Sequence, residues 1–292
     1  MTKCDVSVII PAHIKCRDDR DFLDTQLEGL ERQDYTNGFE VIVADNRSPE
    51  SLRDHIKNHP FRNSLKLKYI DASAVRSAAH ARNVGAEVAL GTYLLFCDHD
   101  DLVKDNWVSS LVTFLDAGYD LASSAVEGWT LNTAQPRKLA TIPSPDRFQP
   151  EGAFAPLIVG TSMACRADVY RKLGGMNVTY SANEDVAFGW SARREGYRTG
   201  FLAEALVSYR YRSGFRAGWR QGLARGIGLA RLNAEFPDNG LPTILLTEVL
   251  WQICTVAAWR NLAGEERGLL IGIGVGQLIG GHRFRTLRWR HS

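Results

Sequence analysis

Acidic side chains follow directly on an apolar run near the middle of the chain. Residues 93–97 (YLLFC) suit burial, and Asp98, His99, Asp100 and Asp101 come immediately after them. On an extended backbone Asp98 and Asp100 would point the same way. Two carboxylates that face one point suit Mg²⁺ or Mn²⁺, with phosphate oxygens completing the coordination. The alternative is a solvated turn that precedes and caps the next helix.

The surrounding pattern predicts the elements that position this acidic segment. Apolar, β-branched runs indicate buried strands, helical spacing and alanine enrichment indicate helices, and the two alternate along the first 130 residues. This rhythm predicts an α/β fold with a mostly parallel central sheet flanked by helices. The predicted strands are 5–12, 39–45, 65–72 and 92–98, and the predicted helices lie around 22–30 and 77–90.

Three polar clusters each follow a predicted strand. In open α/β sheets ligands bind outside the carboxyl ends of the strands, so the clusters are expected to line one cleft. They are Pro11-Ala12-His13, Asp45-Asn46-Arg47-Ser48 and the acidic segment 98–101.

The second half of the chain predicts a loop, further α/β elements and a helical end. The expected order is a long loop at 129–157, a strand and short helix within 160–175, a helix at 183–196, two short strands within 199–212 and an amphipathic helix at 213–235. We expect one α/β domain over 1–237, made of two parts of about 1–128 and 152–237 on either side of the loop. Residues 238–292 are expected to form a C-terminal helical appendage.

Composition is that of a soluble globular protein. The chain has 292 residues, 45% of them apolar and 23% charged, and a net charge of +2 that gives no general attraction to nucleic acid. The five cysteines are an odd number without a C-x-x-C pair, which favours reduced thiols and a cytoplasmic location. An apolar, uncharged run of 18 residues is lacking, so a membrane-spanning helix is not expected.

Four ordered motifs resemble family 2 glycosyltransferases, which have the GT-A fold and are inverting. The first strand VSVIIPAH and the second, VIVADNRS, are followed by the central signature ARNVGAEVALGTYLLFCDHDD, which contains a D-x-D motif. Residues 160–198, with an acidic pair NED, resemble the acceptor half of the family. The resemblance covers roughly residues 5 to 212. It implies that 1–237 is a catalytic domain with a nucleotide-sugar half of about 1–128 and an acceptor half of about 152–237.

This resemblance implies roles for the matching residues. Pro11, Ala12, His13, Asp45 and Asn46 would lie against the base and ribose of a UDP- or dTDP-linked sugar donor. Arg82 would approach its diphosphate or stabilise the loop that holds it, and Asp98 would meet the ribose or the metal-bound diphosphate. His99 would also belong to the donor site, and Asp98 and Asp100 would bind Mn²⁺ or Mg²⁺. Asp185 would be the general base on a hydroxyl acceptor, which could be lipid-linked, and Glu184 would orient that acceptor or support the loop. The alternative for Asp185 is an acidic first turn that stabilises a helix capped by Asn183.

Two positions depart from the family pattern. Ser208 stands where many relatives have a histidine that completes the metal site, and serine is a poor substitute ligand. His99 could replace it, although it would point away from its aspartate neighbours on a strand. Asn46 stands where a second aspartate is common, which leaves the donor open.

Two alternative functions and one partner complete the predictions. The chain could be a nucleotidyltransferase, although PAHIKCRDD lacks the glycine-rich loop that such an enzyme needs after its first strand. It could also be a non-catalytic binder of nucleotide-sugars or lipid head groups. Arginines between 193 and 231 would form a positive wall near the donor diphosphate or a phosphorylated lipid-linked acceptor, or else a solvated edge. The C-terminal HRFRTLRWRHS would suit an anionic membrane surface and a peripheral location at its inner face, or would be an exposed tail.

Overall fold

A computed structural model describes residues 5–49, 52–132, 157–239, 241, 243–259 and 261–289. The predicted 129–157 loop lies largely outside these ranges. Within them, one sheet has the strand order β3-β2-β1-β4-β7-β6-β8-β5 and a second, small sheet pairs β9 with β10. The strands are β1 (Val6–Ala12), β2 (Phe39–Asp45), β3 (Lys68–Asp71), β4 (Tyr93–Cys97), β5 (Leu102–Val103), β6 (Leu121–Glu127), β7 (Ser162–Arg166), β8 (Thr199–Ser208), β9 (Ile244–Leu245) and β10 (Leu287–Arg288).

Helices flank the sheet and form the C-terminal part of the chain. They are α1 (Arg17–Glu31), α2 (Leu52–Lys57), α3 (Ala78–Val88), α4 (Trp107–Asp116), α5 (Ala167–Lys172), α6 (Glu184–Arg194), α7 (Phe215–Glu235), α8 (Leu246–Ala258) and α9 (Gly264–Arg283). The predicted α/β fold with a flanked sheet and C-terminal helices is therefore confirmed.

The strand order places a topological switch point between β1 and β4. Strand β1 pairs in parallel with β2 on one side and with β4 on the other, and β3 continues outward from β2. Connections from the two neighbours therefore run in opposite directions, which opens a crevice at the carboxyl ends of β1 and β4. Every residue of β1 and β2 is buried, as expected for strands covered on both faces.

Strands β6 and β8 both differ from the sequence prediction. Residues 199–208 form one ten-residue strand, β8, whose pairing with β6 shifts register twice, so the prediction of two short strands is wrong. Strand β6, LASSAVE, was not predicted because its serines look solvated, whereas they are buried. Ser123 donates to the Ser162 carbonyl at 2.6 Å, and the hydroxyls of Ser124 and Ser162 are 2.5 Å apart.

The chain divides into two compact units. The first comprises residues 1–150, 156–178 and 188–210, and the second comprises 151–155, 179–187 and 211–292. Helix α7, which the sequence analysis placed with the catalytic domain, belongs to the second unit. No helix in the described ranges combines the length and apolar character needed to cross a bilayer.

Glycines bring α7 and α9 into backbone contact within the second unit. A Cβ atom at any of these positions would overlap a carbonyl oxygen of the facing helix. Glycine at every fourth residue therefore allows the two backbones to approach this closely. The glycines that meet such a carbonyl are Gly218, Gly222 and Gly226 on α7 and Gly268, Gly272 and Gly276 on α9.

Candidate functional site

Asp45 ends β2 beside the switch point and is held by two hydrogen bonds. Its Oδ1 accepts from the backbone N–H of Ser48 at 3.0 Å, and its Oδ2 accepts from the hydroxyl of Tyr69 at 3.2 Å. Burial and the charge of Asp45 both raise the pKa of Tyr69, so this phenol remains a hydrogen-bond donor. Asp45 is thus fixed at the end of the strand by the turn that follows it.

Asn46 organises the loop rather than pointing its amide freely into the crevice. Its Nδ2 donates to the carbonyls of Ala72 and Val75 at 2.6 and 2.8 Å, and its Oδ1 accepts from the N–H of Ser77 at 3.1 Å. Ser77 in turn caps α3. The asparagine therefore ties the end of β2 to the loop that leads into α3.

The predicted residues at the end of β1 meet this loop. Pro11 and Ala12 are buried, and Ala12 pairs in register with Asp45. The carbonyl of Ala12 accepts from the N–H of Asn46 at 2.8 Å, and Nδ1 of His13 lies 2.9 Å from the carbonyl oxygen of Asn46. The structure thus brings the first two predicted clusters into contact.

Asp98 follows β4, and both of its carboxylate oxygens accept hydrogen bonds. Nη2 of Arg82, whose side chain is 5% exposed, donates to Oδ1 at 2.8 Å, and the hydroxyl of Thr161 donates to Oδ2 at 3.0 Å. Burial raises the pKa of Asp98, but the guanidinium and the hydroxyl outweigh it and hold the pKa below its usual value. The carboxylate is therefore ionised at neutral pH.

The acidic segment is a turn, not an extension of β4. Residues 99 and 100 form the turn, so the expectation of an alternating extended backbone from Asp98 to Asp100 is wrong. Gln26 clamps both ends of the segment, because its Nε2 donates to the Asp98 carbonyl at 3.1 Å and its Oε1 accepts from Val103 N–H at 3.0 Å. His99 lies half-buried at the tip.

Arg210 holds the other side of this turn. Its Nε donates to the carbonyl of Asp100 and its backbone N–H donates to Oδ1 of Asp101, each at 2.8 Å. The guanidinium lies 3.8 Å from the ring centre of Phe22. Burial lowers the pKa of Arg210, and the two aspartates oppose that shift. Asp100 and Asp101 are both buried.

Ser208 stands at the end of β8, opposite Leu102 in the neighbouring strand β5. It is also in register with Glu127, a buried carboxylate that pairs with Nζ of Lys104 at 3.3 Å. Burial raises the pKa of Glu127, but the neighbouring Ser208 hydroxyl and the hydrogen bonds from the N–H groups of Thr130 and Trp129 outweigh burial and hold the pKa below its usual value. Ser208 therefore lies next to the acidic turn.

Glu184 and Asp185 open helix α6, whose first four residues (184–187) belong to the second unit. Asn183, just before them, has a φ of 65°, a left-handed conformation that costs energy for a residue with a side chain. Its Nδ2 donates to the carbonyl of Arg225 on α7 at 3.1 Å. Oδ1 of Asp185 accepts from the N–H of Val186 at 2.8 Å, and the first-turn acids are favoured by the helix dipole.

Sequence reasoning missed three residues that hold the acidic turn. Gln26, Thr161 and Arg210 were not singled out, although each contacts the segment. Gln26 carried a signal, since it is a polar residue at an apolar position of the α1 stripe and is fully buried. Thr161 and Arg210 carried none, because their contacts depend on the pairing of distant strands.

Comparison with known families and curated proteins gives the same family. The family model described as "Glycosyl transferase family 2" matches residues 7–174. The chain is 26% identical over 297 positions to a pre-mycofactocin glycosyltransferase of Mycobacterium tuberculosis, with 97% of the chain aligned. It spans only 58% of the length of that relative.

Solved structures share the fold at low identity. Staphylococcus aureus TarS 1-349 in complex with UDP-GlcNAc aligns with 99% of this chain and 94% of its own, with a TM-score of 0.57 and 16% identity. The mannosyltransferase PcManGT of Pyrobaculum calidifontis, in complex with GDP-Man and Mn²⁺, aligns with 96% of this chain and 72% of its own, with a TM-score of 0.59 and 18% identity. These similarities show a shared GT-A-type fold.

Proposed function

The chain belongs to glycosyl transferase family 2, and we propose that it is an inverting glycosyltransferase that moves a sugar from a nucleoside diphosphate donor to a hydroxyl acceptor. The observation that carries this proposal is the ionised Asp98, held by Arg82 at the carboxyl end of β4 beside the switch point. An ionised carboxylate with a buried guanidinium is suited to a diphosphate and its counter-ion.

We assign donor binding to the carboxyl ends of β1 and β2. Pro11, Ala12 and Asp45 would contact the base and ribose, because Asp45 is fixed by Ser48 and Tyr69 at the strand end where ligands bind in such sheets. His13 and Asn46 would shape this part of the site from the adjoining loop. We assign a UDP- or dTDP-linked sugar as the donor.

A divalent cation fits the acidic turn by the chemistry of its donors. Asp98 and Asp100 offer hard carboxylate oxygens, and the Asp98 carboxylate is ionised at neutral pH, which suits Mn²⁺ or Mg²⁺. These two residues would hold the ion, which would neutralise charge on the departing diphosphate. Arg82 and Arg210 keep the turn in place around them, and His99 and Ser208 lie beside it.

Asp185 is assigned as the general base. It would take the proton of the acceptor hydroxyl while that oxygen attacks the anomeric carbon and the bond to the diphosphate breaks. The products are the glycosylated acceptor, a protonated Asp185 and a nucleoside diphosphate. Glu184 would orient the acceptor. The location at a helix start supports the assignment, because backbone bonds fix the carboxylate there.

Exposed apolar residues on α8 and directly after it support a membrane-surface partner and a lipid-linked acceptor. Trp251 is 71% exposed and Trp259 is 55% exposed, and Leu250 is also exposed. Strand β10 places Arg288 next to Leu245, directly before α8. Tryptophan and arginine together suit the interface of an anionic bilayer at the inner face of the membrane.

Vesicle sedimentation tests this partner. The chain should sediment with vesicles that contain phosphatidylglycerol and less with pure phosphatidylcholine. Replacing Trp251 and Trp259 by serine should reduce sedimentation, whereas Trp129→Ser, an exposed tryptophan of the first unit, should not. Equal sedimentation of all three proteins would remove the membrane from the proposal.

Product analysis tests the reaction itself. The purified chain is incubated with UDP-, dTDP- and GDP-sugars and Mn²⁺, and nucleoside diphosphate release is measured with and without a chelator. Chelator-sensitive release from one donor class is expected, as transfer or as slow hydrolysis. Release of pyrophosphate from a nucleoside triphosphate and a sugar phosphate would favour nucleotidyl transfer instead. Saturable nucleotide binding without any release would favour a non-catalytic binder.

A further inference from the structure

Two histidines and an aspartate converge away from the acidic turn. Among the residues that the structure describes, Asp24, His55 and His59 form a group in which each offers one ligand atom within 4.8 Å of the others. Nε2 of His55 lies 2.6 Å from Oδ1 of Asp24, and Nε2 of His59 lies 3.4 Å from the same oxygen. One carboxylate oxygen thus sits between two imidazole rings.

The local sequence explains why these side chains meet. His55 is in α2 and His59 follows four residues later, just beyond the helix end, so the two project from the same side. Asp24 comes from the middle of α1. The histidine rings contact each other edge to face with centroids 5.5 Å apart. The H-x₃-H spacing with an acid from a second helix is a recurrent metal-binding pattern.

The group is accessible from a cleft. The side chain of Asp24 is 34% exposed, that of His55 is 23% exposed and that of His59 is 5% exposed. The cleft has a volume of about 570 Å³, and its walls include Arg20 and Glu28. A bound ion could therefore exchange with solvent and take a water molecule as a further ligand.

A backbone hydrogen bond fixes the tautomer of the neutral His59 ring. The backbone N–H of Phe61 donates to Nδ1 of His59 at 3.2 Å, so the ring proton is on Nε2 and faces Asp24. Oδ1 of Asp24 is therefore the atom that the Nε2 atoms of both histidines approach.

We propose that Asp24, His55 and His59 form a second metal site, selective for Zn²⁺ or a similar transition metal and separate from the acidic turn. Two imidazole nitrogens and one carboxylate oxygen match zinc, whereas Mg²⁺ prefers oxygen ligands alone. Binding through Nε2 of His59 moves the ring proton to Nδ1, which costs the bond from Phe61. The ion would join α1 to α2 and stabilise the chain. This inference does not depend on the proposed transferase activity.

Cobalt spectroscopy and calorimetry test the site on the full, untagged chain. Co²⁺ should give visible absorption bands of a low-coordinate nitrogen and oxygen site, and Zn²⁺ should displace it. Zn²⁺ should also raise the melting temperature, because it binds only the folded form. His55→Gln should weaken Zn²⁺ binding by about 100-fold, since loss of even an outer-shell partner costs 10- to 100-fold.

Two controls separate this site from others. His80→Gln, a histidine of α3 outside the group, should keep the cobalt bands and the Zn²⁺ affinity. A double variant with Asp98→Asn and Asp100→Asn should keep both as well. Absence of cobalt bands in the unmodified chain would overturn the proposal, whether or not His55→Gln folds. Zn²⁺ affinity that is unchanged in a folded His55→Gln variant would also overturn it.

Discussion

Gly228 of α7 lies directly against the backbone of Ala182, just before the acidic pair of α6. A Cβ atom at position 228 would stand 2.5 Å from the carbonyl oxygen of Ala182 and 2.7 Å from Nδ2 of Asn183. Real Cβ atoms do not approach a carbonyl oxygen so closely, so either the helix or the loop would have to move. Both elements belong to the second unit.

Gly228→Ala is expected to displace the loop that carries Glu184 and Asp185. A misplacement of about 1 Å lowers turnover by roughly 100-fold, and donor affinity should change little. The overpacking should also cost about 1–3 kcal/mol of stability. Steady-state kinetics and thermal unfolding measure the two effects. Gly264→Ala is the control, because its new Cβ would meet only an ordinary contact at 3.9 Å. Unchanged turnover in Gly228→Ala would contradict the expectation.

Asp185→Asn should remove the proposed base and leave the helix start nearly unchanged in shape. Transfer should fall by about 100- to 10,000-fold, the range that general base catalysis supplies, while donor affinity stays close to that of the unmodified chain. Glu184→Gln is the matched comparison and should chiefly raise the KM for the acceptor. An Asp185→Asn protein with normal turnover would remove this residue from the mechanism.

Arg82→Met should leave Asp98 without its charged partner. A hydrogen bond to a charged group is worth about 1.5–3 kcal/mol, so donor affinity should weaken by about 10- to 100-fold. Titration calorimetry with UDP and Mn²⁺ gives the dissociation constant. Arg62→Met is the control, since Arg62 is exposed and donates to the Lys57 carbonyl outside the crevice. Equal affinity in both variants would show that Arg82 does not support the donor site.

The hydrogen bonds and the ion pair of Glu40 predict how the stability of the fold depends on pH. Its buried carboxylate accepts from the hydroxyl of Ser7 at 2.6 Å and the N–H of Leu90 at 2.8 Å, and it pairs with Nζ of Lys68 at 2.5 Å. Burial raises the pKa of Glu40, but these partners, Lys68 first among them, hold it below its usual value. The stabilising contribution is therefore present above the pKa of an unfolded glutamate, about 4.3, and is lost as the pH falls through the lower folded pKa.

Glu40→Gln should lower the free energy of unfolding by about 1–3 kcal/mol at pH 7. The difference from the unmodified chain should shrink progressively as the pH falls below about 4.3. Urea unfolding at several pH values between 7 and 3 measures both quantities. A difference that stays constant over this range would show that ionised Glu40 is not the source of the stabilisation.

The strands that frame the crevice could be predicted because burial on both faces leaves a clear signature. Residues 39–45 were predicted as a strand with the bounds that the structure has. Strand β6 could not be predicted in the same way, since Ser123 and Ser124 are satisfied by β7 and the loop before it. From the sequence alone a serine is expected to be solvated, because its hydrogen-bond partner on another strand is not evident.

The candidate site could be predicted only in part for a similar reason. Asp45 and Asp98 were identified because each directly follows an apolar strand. The turn at residues 99 and 100 was predicted only as the alternative, because the hydrogen bonds from Gln26 and Arg210 that shape it come from distant parts of the chain. Local spacing therefore indicated which residue types matter, and tertiary contacts decided where they point.

Thr161 links the region that precedes β7 to the chemistry at Asp98. Its hydroxyl and Arg82 share one carboxylate, so a shift of the backbone at 157–161 would change how much negative charge Asp98 presents. Variants selected for a new acceptor through that stretch should therefore also differ in how fast the leaving group departs. Substitutions at residues 157–161 would therefore change acceptor specificity and catalytic rate at the same time.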